Sequence, residues 1–243
     1  MATPTSARRP FRRQTIPEAI AEALRERILS GEIPGGLQLR QEAIAGEYSV
    51  SRIPVREALR QLEAEGLVKL QAHRGAVVTE LSLAEIGELF EIRAQLERDI
   101  LDRAIPHLAA GDFAEAESVL DTFDRAFATE DVTVWGELNW KFHGILYRPA
   151  DRPHTLAIIH NLHINTDRYS RLQLLLTRGA ARAQEEHRRI LTLCHKRNRD
   201  AACKLLEQHI VNAGNMLVAF LAEHRTRGTM SAEVAAAKRG GAR

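Results

Sequence analysis

The sequence predicts a mainly α-helical protein, with an N-terminal winged helix-turn-helix domain followed by an all-α helical bundle. Three observations predict it. Apolar residues recur at helical spacing through most of the 243 residues. Strand-like runs are confined to LVKLQ and AVVTE, which flank AHRG at residues 72–75. From Ser82 onward, helical stretches succeed one another with no strand pattern between them.

The elements run in order. Residues 1–13 are basic and carry two prolines, so a disordered arm is expected. TIPE sets Thr15 and Glu18 at capping-box spacing, and Ile20, Ala21, Leu24 and Ile28 then recur at helical period. SGEIPGG breaks that helix, and LQL has room for only a scrap of strand. QEAIAGEY reads as a short second helix. Ser51 is placed to cap a third, with Pro54 tolerated in its first turn and Gly66 ending it. The hairpin closes a domain spanning 14–79, and residues 80–81 alone link it to the bundle.

The second domain, 82–225, opens on another capping box, SLAE. Its six helical stretches are broken at Pro106, Gly111, Asp131, Pro149, Pro153, Gly179 and the turn at 198–200. Residues 226–243, rich in Ala and Gly, read as a disordered tail.

Composition narrows the function. A net charge of +2 advertises no global affinity for polyanions, so a nucleic-acid surface would have to be local. Residues 1–79 carry twelve Lys and Arg against nine Asp and Glu, a small local excess. Aromatic residues at 5% argue against base-stacking modules. The longest apolar run, MLVAFLA at 216–222, is far too short to span a bilayer, so no membrane role is expected. No apolar stretch comes after the basic N-terminus, and two cysteines make no disulfide framework. A reducing, cytoplasmic setting is the expectation.

Two constellations carry chemistry. On the third helix Val55, Ala58, Leu59 and Leu62 define a buried side, while Arg52, Arg56 and Arg60 run along the other. Such a stripe is either a solvated face or a grip on DNA. Its position at a helix N-terminus, where free N–H groups favour anions, suits the second reading. Arg74 and the RRPFRR arm could add phosphate or minor-groove contacts. In the bundle, Asn139 and His143 share one helix face at i, i+4. His187 and His209 are equidistant from the 198–200 turn, so an antiparallel hairpin sets both about 15 Å from it, level with each other. Such imidazoles are either satisfied core residues or part of a bundle metal site. Arg93 could pair with Glu97 one turn on, or clamp a carboxylate. His160 and His163 could line the same pocket.

SVSRIPVREALRQLEAEGLV followed by HRGAVV resembles the DNA-binding domain of GntR-type bacterial transcription regulators over Ile20 to Thr79. The resemblance implies base and phosphate contacts from Arg52 and Arg56, aided by Ser51. It also implies a wing tip, His73-Arg74-Gly75, that reaches the minor groove. SLAEIGELFEIRAQLE and the later histidines resemble the FadR-type ligand-binding domain, the FCD class, over about 82–222. That implies a divalent metal, zinc first with nickel or manganese as alternatives, held by an Asp-x-x-x-His helix and one histidine from each of the last two. His143, His187 and His209 match those positions, and Asn139 stands where the family usually has aspartate. Arg93 corresponds to an arginine that can clamp an effector carboxylate.

The function implied is a ligand-responsive homodimeric repressor on double-stranded operator DNA, released by a small organic acid bound in the metal-containing pocket. A metal-free pocket is the alternative. A metal-dependent hydrolase is disfavoured: no HExxH pattern occurs, and Glu186, adjacent to His187, points about 100° away from it.

Overall fold

The computed structural model describes residues 14–72, 75–129, 134–177 and 180–227. The expected basic arm, the wing-tip residues His73 and Arg74, and the chain beyond 227 lie outside the described residues.

The N-terminal half builds α1 (Ile16–Leu29), β1 (Gln38–Leu39), α2 (Gln41–Glu47), α3 (Arg52–Ala64), β2 (Val68–Gln71) and β3 (Gly75–Val78). Thr15 caps α1 reciprocally: the Glu18 N–H donates to its hydroxyl, and its own N–H donates to the Glu18 carboxylate at 2.8 Å. The strands form one antiparallel sheet in the order β1-β3-β2, with Leu70 opposite Ala76 and Leu39 opposite Ala76 on the other side. Ile20, Leu24 and Ile28 of α1 pack with Val55, Ala58, Leu59 and Leu62 of α3 and with Leu39, Val68 and Val78 of the sheet.

Gly75 has φ +95°, and a Cβ there would meet the Leu39 carbonyl oxygen at 2.0 Å. The wing closes because this position has no side chain.

The C-terminal half is all helical: α4 (Leu83–Ala104), α5 (Ala110–Ala128), α6 (Trp135–Tyr147), α7 (Pro153–Thr177), α8 (Ala180–His195) and α9 (Arg199–Arg227). Ser82 and Glu85 form the second capping box, with the Ser82 N–H donating to the Glu85 carboxylate at 2.7 Å. Helix α9 runs to Arg227, two residues into the segment expected to be tail. Its apolar face continues through Leu217, Phe220 and Leu221, all buried, so packing carries the helix further than composition suggests. A second core, separate from the first, gathers Phe90, Ile100, Leu101, Leu120, Phe142, Leu146, Ile190, Leu206 and Ile210. Helices α4 and α9 approach closely where Gly214 faces Phe90, since a Cβ there would lie 2.6 Å from the phenylalanine.

Helix α7 touches both halves. On one side it belongs to the bundle. On the other, the Asn165 Nδ2 donates to the Glu65 carbonyl at 2.8 Å and the Asn161 Nδ2 to the Ala64 carbonyl at 3.3 Å, satisfying the open C-terminus of α3. Gly66, at φ +78°, leaves the space that Asn165 fills. The Tyr169 hydroxyl accepts from the Leu81 N–H at 3.0 Å, fastening the short linker to the same helix.

Candidate nucleic-acid interface and metal centre

Arg52, Arg56 and Arg60 all emerge from the exposed side of α3. Arg52 meets Glu42 of α2 at 2.5 Å, with both side chains about two-thirds exposed, a contact that water screens strongly. Arg56 and Arg60 make no ion pair among the described residues.

Ser51 sits at the N-cap position with extended backbone, yet its hydroxyl makes no capping hydrogen bond. The expected cap is therefore corrected. A capping hydroxyl accepts from the second or third helical N–H, and the third helical residue here is Pro54, which has none. The helix start thus presents the N–H groups of Arg52 and Ile53 and a free hydroxyl in one place, the arrangement that receives a phosphate oxygen. Gly75, the first residue of β3, is buried, and the other wing-tip residues expected to touch DNA, His73 and Arg74, lie outside the described residues.

In the bundle, α6, α8 and α9 bring His143, His187 and His209 together. Their ring centroids lie 5.0 Å (143–187), 5.8 Å (143–209) and 4.8 Å (187–209) apart, and all three rings are buried. Each offers one ligand nitrogen, and these lie within 4.8 Å of one another. Each Nδ1 is engaged from behind. His143 Nδ1 meets the Tyr147 hydroxyl at 3.1 Å, His187 Nδ1 the Gln184 Oε1 at 3.2 Å, and His209 Nδ1 the Glu186 Oε2 at 2.7 Å. The amide and carboxylate oxygens can only accept, so Nδ1 carries a proton in those two rings, and in the neutral His187 ring this leaves the lone pair on Nε2. Tyr147 donates to Glu97 at 2.7 Å, so its oxygen accepts from His143 and fixes the same tautomer there. Acceptors behind Nδ1 of this kind are how metal-binding imidazoles are oriented.

The His187 Nε2 is buried with no hydrogen-bond partner. Burial, then the neighbouring histidines, holds His143 and His187 well below the usual imidazole range, so both are neutral ligands at ordinary pH. Three nitrogens on one tetrahedral zinc stand about 3.4 Å apart, so closing the triad asks for movements of about 1.4 Å at most. The donor set fits a divalent ion.

Asn139, one turn before His143, contacts His163 instead of joining the cluster through its nitrogen: Nδ2 meets the His163 Nε2 at 2.8 Å. His160 stacks on Trp140, with centroids 4.4 Å apart, on the side of α7 that faces the winged domain.

Arg93 is 5% exposed and its Nε donates to Glu97 at 2.8 Å, the intrahelical pair that the i, i+4 spacing allows. Its two terminal nitrogens make no hydrogen bond among the described residues. It lies near enough to His143 for its charge to help depress that imidazole. Glu97 therefore joins Arg93 to Tyr147 and, through it, to His143.

Sequence reasoning missed Tyr147, Glu97 as a bridge, and Gln184. The signal was available: Tyr147 lies four residues after His143, and Gln184 three before His187. Glu186 faces His209, which with Arg182 holds its carboxyl down to about 2, so it is ionised and only weakly basic at neutral pH.

An exposed cationic helix start on a winged domain, joined on one chain to a bundle that buries a histidine triad, defines a transcription regulator with a built-in sensor. Residues 16–78 match the bacterial regulatory proteins of the gntR family, and residues 88–212 match the FCD domain; the chain belongs to the GntR family of transcriptional regulators. It is 30% identical to the HTH-type transcriptional regulator YdhC of Bacillus subtilis over 193 residues, covering 77% of this chain and 83% of that one. It is 33% identical to the gluconate operon transcriptional repressor of Bacillus subtilis over 143 residues, 59% of this chain and 58% of that one. The fold superposes on the crystal structure of a GntR regulator from Rhodococcus sp. RHA1 with a TM-score of 0.72, covering 84% of this chain and 97% of that one at 23% identity. Relatives of this kind are regulators and not enzymes. No described helix is long and apolar enough to cross a membrane.

Proposed function

We propose that this regulator is a cytoplasmic repressor that leaves its operator when a small carboxylate binds beside a divalent metal in the bundle. The observation that carries this reading is the His187 Nε2, a buried nitrogen with no hydrogen-bond partner, in a triad whose three ligand nitrogens lie within 4.8 Å of one another. His143, His187 and His209 would hold the ion, zinc first, with the Asn139 carbonyl as a fourth donor. When bound, the metal supplies a Lewis-acidic point of attachment for one carboxylate oxygen.

Charge supports an anionic effector. Three neutral imidazoles and an amide leave the ion's double charge uncompensated, and Glu97 is already engaged by Arg93 and Tyr147. The open terminal nitrogens of Arg93 suit the other end of the acid. The gluconate-operon relative, itself a repressor, supports the sense of regulation. Ser51, Arg52 and Arg56 would grip the major groove, and the wing tip at 73–75 the minor groove. A homodimer would place two α3 helices on successive half-sites.

Calorimetric titration of chelator-treated protein with Zn²⁺, and then with small organic acids, tests the reading. Stoichiometric zinc binding that is lost in His187→Ala, with tighter acid binding when zinc is present, is expected. No zinc uptake, or equal acid affinity with and without zinc, refutes it. Independently, Arg52→Ala is expected to abolish preference for operator over random duplex.

A further inference from the structure

Helix α3 hides Val55, Ala58, Leu59 and Leu62 completely. At 100° per residue, Ile53 lies about 170° from the mean direction of those four, at the crest of the opposite face. It is 63% exposed, more than any other large apolar residue described, and belongs to neither hydrophobic core. Folding gives this isoleucine no role. Its neighbours on the crest are Arg56, Arg60 and Glu57, and it occupies the first turn, beside the uncapped N–H groups that Pro54 leaves open.

A helix that enters the major groove N-terminus first presents this turn deepest. Arginine side chains there meet phosphates or guanine edges, but a branched aliphatic group among them has nothing polar to offer. The major-groove edges of the four bases display one apolar group, the 5-methyl of thymine. We propose that Ile53 is a specificity-determining residue that packs on a thymine 5-methyl group in each operator half-site. The proposal rests on α3 being the groove-entering helix.

The test uses full-length protein and a duplex selected by it from a random-sequence pool. Each thymine is replaced singly by deoxyuridine, which pairs identically but lacks the methyl. Wild type is expected to lose about fourfold in affinity at one position per half-site, the worth of one buried methyl. Ile53→Ala is expected to bind the thymine duplex more weakly and to be indifferent to deoxyuridine at that position. Ile53→Val, which keeps the branch, is expected to retain the penalty. Circular dichroism should be unchanged in both variants, since the side chain touches no core. If no deoxyuridine position matters to wild type, or if Ile53→Ala shows the same penalty, the assignment is overturned. Failure of wild type to select any sequence, or selection undiminished in Arg52→Ala, would instead overturn the groove-entering role of α3 and the assignment with it.

Discussion

Replacing Gly75 by alanine puts a carbon where an oxygen already stands. The new Cβ would lie 2.0 Å from the Leu39 carbonyl oxygen, 3.1 Å from its carbon and 3.3 Å from the Arg40 Cα, all backbone atoms. No side chain can swing aside, so β1 must retreat from β3 by more than about 1 Å to reach ordinary contact. That retreat breaks the bonds at this edge, including the Val78 N–H to the Leu37 carbonyl (3.0 Å) and the Gly36 N–H to the Val78 carbonyl (2.9 Å). A left-handed φ costs a residue with a Cβ about 1–2 kcal/mol, and one or two ladder bonds add about 0.5–1.5 kcal/mol each. The sum is about 3 kcal/mol, a large share of the stability of a small domain. Hydrogen exchange of the β2 and β3 amides in the full chain, with urea unfolding alongside, measures it. Gly75→Ala should speed exchange there by about a hundredfold. Gly46→Ala, an exposed site on α2 with nothing within 4 Å, should stabilise by about 0.5–1 kcal/mol. Unchanged exchange in Gly75→Ala would refute the packing argument. If operator affinity fell at the same time, the glycine would be acting by close approach to DNA.

Buried and capped groups give two more expectations. Cys194 and Cys203 are buried, and burial pushes their thiols up to about 12 and about 11, so neither should react with Ellman's reagent at about pH 8 until the chain is unfolded. Asp112 accepts from the Ala109 N–H at 2.9 Å, the main reason its carboxyl lies below the ordinary range, and from Arg148 at 2.8 Å. A depressed carboxyl stabilises above its unfolded value and loses that contribution as pH falls through its folded one. Asp112→Ala should therefore cost about 1 kcal/mol in urea unfolding at about pH 7 and progressively less below about pH 4.

The helices are legible in the sequence because their signals are local. Both capping boxes, the buried faces of α1 and α3, and the six stretches of the bundle arise from residues within a few turns of one another. Equal distance from the α8–α9 turn likewise sets His187 beside His209. The cap expected at Ser51 fails for a local reason too, since Pro54 removes the donor that the hydroxyl would have accepted. Features that sequence could not supply depend on distant segments meeting. Glu97 and Tyr147 are fifty residues apart, and no spacing rule pairs them. Its place before His143 makes Asn139 a candidate ligand, but which way its amide turns depends on His163 of another helix. Gly75 looks like any hairpin glycine until β1 is seen pressed against it.

Helix α7 has consequences for the whole molecule. His163 and Asn165, two residues apart, point to nearly opposite sides of one rod, the first toward Asn139 and the second into the end of α3. Both side chains belong to one continuous α-helix, so a rigid displacement of α7 carries both contacts with it. Movement of α7 beside Asn139 is therefore expected to move the amide that closes the end of α3 as well.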